Sequence, residues 1–122
     1  MKFLARHEGN GFLLMRLVFG VLMACHGTQK VFGIPGGHQA HVPLLIVAGV
    51  IELVGGAFVF LGLFTRWAAF ILSGEMAVAY FMQHGSHGFL PILNGGELAV
   101  AYCFAFLFIA TRGSGKLGIH KS

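Results

Sequence analysis

One carboxylate, Glu52, stands inside an otherwise apolar and glycine-rich stretch, residues 47 to 62, VAGVIELVGGAFVFLG, and it limits what the chain can become. An ionised side chain at the centre of a membrane helix costs roughly 2.5–3.5 kcal/mol on insertion scales, so it faces protein or water instead of lipid. Glu52 therefore needs partners from other segments. Glu75 and Glu97 lie in the next two apolar runs, and Arg16, His26 and Lys30 lie in the first. The pattern predicts that these six residues converge inside one small helical bundle.

Composition agrees with a membrane bundle. Of the 122 residues, 57% are apolar and only 10% charged, where a soluble domain would carry charge at about a quarter of its positions. The length is that of a single domain spanning residues 1 to 122. The 19 glycines suit helices that must approach closely without a hydrophobic drive between them. A net charge of +4 does not point to nucleic acid, because the basic residues are scattered over chain ends and loops. The two cysteines, Cys25 and Cys103, form no C-x-x-C motif and read as small buried hydrophobes. Their similar expected depths on the first and last helices leave a membrane dithiol geometrically open. Leu22 to Cys25 has the form of a lipoprotein cleavage box, which would leave a lipidated Cys25, but the segment continues into the first span.

Residues 1 to 11 read as a short polar lead-in. A first span is expected over residues 12 to 32, long enough for a hydrocarbon core that needs about 20 residues. On it Arg16, Gly20, Met23, Gly27 and Lys30 alternate spacings of four and three, one helical stripe that should face the bundle. A Gly- and Pro-rich connection follows, and Pro43 can open the second span, residues 44 to 64, where its missing N–H is not needed. On that helix Gly49, Glu52 and Gly56 share a face. Thr65 and Arg66 should turn the chain into a third span, residues 67 to 83, with Trp67 in the interfacial belt and Glu75 near the centre. The fourth span is expected over residues 95 to 111, and the glycine-rich basic tail reads as loose. The fold class is thus all-α, a four-transmembrane-helix antiparallel bundle. Lys2, Arg6, Arg66, Arg112, Lys116 and Lys121 fall on one side against Lys30 on the other, so the positive-inside rule predicts both termini in the cytoplasm.

At 1.5 Å per residue, Glu52 and Glu75 should lie about 12 Å below the outer boundary and His26 about 9 Å below it. Three glutamates against one certain cation leave a charge imbalance. A low-dielectric site resolves it by holding a proton on a carboxyl, by recruiting Lys30 or His26, or by binding a ligand. The plain alternative is that Arg16 and Lys30 simply pair with Glu52 and Glu75 to keep helices in register. Asn94 and Glu97 have the spacing of a capping box, which would give Glu97 a purely local role. His26 can equally be a satisfied core histidine. His38, His41, His84 and His87, at two H-x-x-H spacings near the outward end, are weak candidates for a metal. A carboxylate-bridged di-metal centre is disfavoured, since no glutamate is followed by the histidine of a Glu-x-x-His pattern.

His26-Gly27-x-x-Lys30, then Ile51-Glu52-Leu53-Val54-Gly55-Gly56 with Gly62-Leu63-Phe64-Thr65-Arg66, then Asn94-Gly95-Gly96-Glu97-Leu98 resemble the DoxX family of small membrane proteins. Arg16 matches an arginine early in that family's first span, and Gly74-Glu75-Met76 with His84 looks like its third-span pattern. The resemblance covers about residues 10 to 115, and the second-span motif is its most specific part. It implies a four-helix protein of the bacterial cytoplasmic (inner) membrane. It also implies a subunit or partner in thiosulfate:quinone, thiol-stress or superoxide-detoxifying redox systems, with an oxidoreductase as protein partner; separately, four spans of about 20 residues enclose little cavity, so a homodimer or trimer sharing glycine faces is expected. No haem, flavin or iron–sulfur signature is present, so the resemblance leaves a diffusible quinone, or a centre carried by a partner, as the cofactor. Arg16, His26, Lys30, Glu52, Glu75 and Glu97 are the residues expected to bind a polar head group and relay protons. A small-molecule or ion transport module, and an assembly protein whose polar residues are structural, remain alternatives of a different class.

Overall fold

The computed structural model describes the chain apart from residues 35, 37, 38, 84 to 87, 89, 92 to 94 and 120 to 122. Among the described residues, regular structure is helical: α1 (Lys2–Arg6), α2 (Glu8–Phe32), α3 (Pro43–Leu61), α4 (Thr65–Gln83) and α5 (Glu97–Arg112). The lead-in is helical, and α2 starts at Glu8, whose charge suits the first turn of a helix. Pro43 does open α3, and Gly62 ends it in the left-handed conformation at φ 71°. The reversal into α4 therefore occupies residues 62 to 64, and Thr65 and Arg66 are already helical. α5 begins two residues later than expected because Gly95 has φ 78°, incompatible with a right-handed helix, and Gly96 is the N-cap. α2 and α3 are long and apolar enough to cross a membrane.

The four long helices run antiparallel, and their closest pairing is α2 with α3. Glycines seven apart on each helix meet two by two, so that the backbones themselves touch. A Cβ on Gly20 would lie 2.6 Å from the Phe60 nitrogen, one on Gly27 would strike the backbone at Leu53, and one on Gly49 would lie 2.7 Å from the Lys30 Cβ. Such close approach is how small residues hold helices together where burial from water contributes nothing. α3 meets α4 where Leu72 packs 3.0 Å from the Cβ position of Gly55. α4 and α5 are joined by Ser73, whose hydroxyl donates to the Cys103 carbonyl at 2.8 Å, and by Arg66, which donates to the Thr111 carbonyl at 3.0 Å. Aromatic edges tie the two pairs: Phe19 stands edge-on to Tyr102 and Phe106 at 5.7 and 6.2 Å. Met23, Val59, Leu72, Phe106 and Ile109 are wholly buried at the centre.

The tail is not loose through residue 119. Arg16, 1% exposed, donates from Nη1 to the carbonyls of Ser114 at 2.6 Å and Lys116 at 2.8 Å. Its Nη2 reaches the carbonyls of Phe60 at 3.2 Å and Leu117 at 3.4 Å. The Ile119 N–H then donates to the Leu61 carbonyl at 3.2 Å. The tail is thereby strapped across the end of the bundle at which α2 begins and α3 ends.

Candidate functional site

Lys30 lies further along α2 than the residues facing Glu52 across the glycine contact, yet the two side chains meet. Side chains on a helix lean towards its N-terminus. Because α2 and α3 are antiparallel, Lys30 leans towards the bundle centre and Glu52 leans outward to meet it. Lys30 Nζ lies 2.6 Å from Glu52 Oε2. The glycine zipper makes this contact possible by bringing the two helices into backbone contact. Glu52 is completely buried.

Glu75 approaches from α4. The register that places Leu72 on Gly55 sets Glu75 beside Glu52, and the two carboxyls meet within hydrogen-bonding reach. One ammonium and two carboxyls thus form a Lys30–Glu52–Glu75 cluster on three different helices. They lie on the wall of a chamber of about 1010 Å³ lined by all four long helices. His26 from α2 and Tyr102 from α5 line the same chamber, their rings edge-on with centroids 5.7 Å apart. Most of the remaining lining is apolar, with Met23 and Met76 towards the core and Leu44, Val47 and Met82 at the rim. The arrangement can hold a polar ring or head group against charged and hydrogen-bonding groups while apolar walls enclose the rest of the molecule.

Of the six residues expected to converge, the structure brings together His26, Lys30, Glu52 and Glu75. Arg16 does not join them. It lies about 15 Å along α2 from His26, bound to backbone carbonyls of the tail and of α3, which satisfy a guanidinium without a carboxylate. Glu97 does not line the chamber either. It is exposed at the first turn of α5, where a negative charge favours the helix dipole. The capping box also fails: the N-cap is Gly96, without a side-chain cap bond, and Asn94 is outside the described residues. His38, His84 and His87 lie outside them too, and His41 is exposed. Among the described residues no group of three metal-ligating side chains assembles. Cys25 is an exposed free thiol, and Cys103 is a free thiol beside the Ser73 hydroxyl.

Tyr102 is the site residue that sequence reasoning missed. It is one of two tyrosines in the chain, set in a helix otherwise rich in alanine and phenylalanine. A lone hydroxyl in such a run was the available signal, hidden because an aromatic at helical spacing is usually core. Tyr102 is core on one face, stacked on Phe106 at 5.9 Å, and chamber wall on the other.

A model of the DoxX family matches residues 11–85. The chain belongs to the DoxX family. The match includes His26, Lys30, Glu52 and Glu75 and stops before α5. Together with two helices able to cross a bilayer, DoxX membership makes this a membrane protein. An uncharacterised protein of Haemophilus influenzae is 45% identical over 98% of this chain and 95% of its own length. A Bacillus subtilis protein that carries the name "Putative oxidoreductase CatD" is 32% identical over 74% of this chain and 78% of its own. No solved structure gives a significant match.

Proposed function

We propose that this DoxX protein is a four-span membrane subunit or partner in quinone- or thiol-linked redox metabolism, and that its chamber takes the head group of a quinone. The observation that carries the reading is the Lys30–Glu52–Glu75 cluster, contributed by three helices and set in the wall of a large, mostly apolar chamber. A purely structural ion pair needs no such space beside it. Kinship with the protein named CatD supports an oxidoreductase context. A quinone supplies two-electron, two-proton chemistry when bound. Lys30 would then donate to a ring oxygen, Glu75 and Glu52 would hold and pass a proton at their carboxyl oxygens, and His26 and Tyr102 would flank the ring. The apolar wall excludes water from that wall of charges.

The four-span reading is supported by α4, as long as α3 at 19 residues, and by α5, whose 16 residues span about 24 Å. The basic residues at the strapped end favour that end in the cytoplasm of a bacterial inner membrane. On this reading residues 1 to 122 are one membrane domain, and an oxidoreductase partner or a second copy would pack on its exposed apolar faces. The core of Met23, Phe106 and Leu72 and the Arg16 strap below it fill the path to the cytoplasmic end, which disfavours a transporter's through-passage. Equilibrium binding of a benzoquinone analogue to purified protein in lipid nanodiscs tests the reading. Saturable binding weakened at least about tenfold by Glu52→Gln and by Glu75→Gln is expected, the loss of roughly one charged hydrogen bond. Binding that ignores both substitutions would end the proposal.

A further inference from the structure

Glycine in a helix interior is disfavoured, because it gives up more backbone freedom on folding than any other residue. Gly20, Gly27, Gly49 and Gly56 have a packing reason to be there, since two backbones touch at each. Gly74 has none. It lies inside α4, and a Cβ built on it meets no described atom within 4 Å. It lines the chamber next to Glu75 and is exposed. On either side of it the chamber wall is open. Leu44 and Val47 on α3, and Ile71, Val78 and Met82 on α4, line the chamber yet remain more than half exposed. These five side chains are all apolar. Behind them Glu52 is wholly buried, while Glu75 is half-buried and shares the α4 stripe of Ile71, Val78 and Met82.

Charged groups held behind and among apolar, open side chains are the wrong way round for a solute arriving from water. It suits a molecule arriving from hydrocarbon, head first. We infer that the ligand enters sideways from the bilayer, through the gap between the outer halves of α3 and α4, and that Gly74 leaves the space its ring occupies beside Glu75. The occupant is then a lipid-borne amphiphile: a compact polar ring that reaches Lys30 and Glu75, carrying an apolar chain that lies between Val47 and Val78 and out into the bilayer. This rests on the quinone-type reading of the chamber and adds to it the route and the requirement for a chain.

Two probes separate the inference from the reading beneath it: a benzoquinone bearing a decyl chain and the same ring without the chain, each titrated onto protein in lipid nanodiscs. The inference expects the chain-bearing probe to bind at least about tenfold tighter per protein, after correction for partition into empty nanodiscs, because its chain is held against apolar wall. Gly74→Ala should weaken binding and Gly74→Leu should weaken it further, by about tenfold or more, as the added side chain fills the slot. Neither should lower the unfolding midpoint, since the new atoms enter open space and alanine is the better helix former. Gly11→Ala, at a helical glycine with equally free surroundings but away from the chamber, should leave binding unchanged. Wild-type affinity in Gly74→Leu, or equal affinity for the two probes, overturns sideways entry while leaving the chamber a ligand site. Failure of the wild type to bind either probe overturns both. Loss of binding accompanied by loss of folding in Gly74→Ala would also overturn the inference, because it would show that the glycine serves packing.

Discussion

α2 carries one inward-turned cation towards each end of the bundle, Arg16 buried and Lys30 partly exposed, and the two are treated in opposite ways. Arg16, at the strapped end, spends its donors on neutral carbonyls of Ser114, Lys116, Leu117 and Phe60, which fix a tail against the helices. Lys30, at the other end, meets a carboxylate that is itself in contact with a second carboxyl, beside empty space. The first arrangement is closed and has no capacity left for a ligand beyond one nitrogen, Arg16 Nε. The second joins three titratable groups across three helices and leaves them facing a chamber. The difference teaches that a charge in a membrane helix is not by itself a functional signal. What its partners are, and whether anything can come between them, decides.

The largest effect expected from breaking this contrast is at the strapped end. Arg16→Met removes several hydrogen bonds from a charged donor and leaves buried carbonyls unpaired, so it should cost on the order of 3 kcal/mol in reversible unfolding in mixed micelles. Deleting residues 113 to 122 should cost a similar amount, and the two changes together should cost little more than either, because both remove one clasp. Next comes the zipper that serves both ends: Gly27→Val forces α2 and α3 apart at Leu53 and should lose about 1–3 kcal/mol while also weakening ligand binding. At the chamber, Lys30→Met should cost about 1–2 kcal/mol, less than a fully buried pair because its side chain is 26% exposed. Adding Glu52→Leu to it should recover stability to within about 1 kcal/mol yet leave no ligand binding, which separates holding the fold from holding a ligand. The smallest effect is expected from Glu8→Gln, which breaks an exposed pair with Arg112 and should change stability by less than about 1 kcal/mol.

The sequence made the chamber more legible than the strap. Lys30, Glu52 and Glu75 could be found because a charge in an apolar run must be turned inward and because their helices are neighbours along the chain. Gly20, Gly27, Gly49 and Gly56 could be read from their spacing as a contact face. Arg16 was misplaced for a physical reason: a buried guanidinium suggests a carboxylate, but carbonyls serve equally well. Three of the four carbonyls that serve it lie 98 or more residues away, in a tail whose glycines look flexible when read alone. Gly113 and Gly115, at φ 93° and 67°, instead shape the turn that lays the tail across Arg16. The start of α5 was misjudged because Gly95 turns the chain, which composition does not reveal. Tyr102 was hidden by its double role as core and wall.

The division between the two ends is tested most directly by measuring quinone-analogue affinity in nanodiscs for Arg16→Lys and Glu52→Gln side by side. A folded Arg16→Lys protein should bind as the wild type does, although less stable, while Glu52→Gln should lose at least about tenfold in affinity. If Arg16→Lys loses as much affinity as Glu52→Gln while remaining folded, the guanidinium belongs to the ligand site and the two ends do not have separate roles.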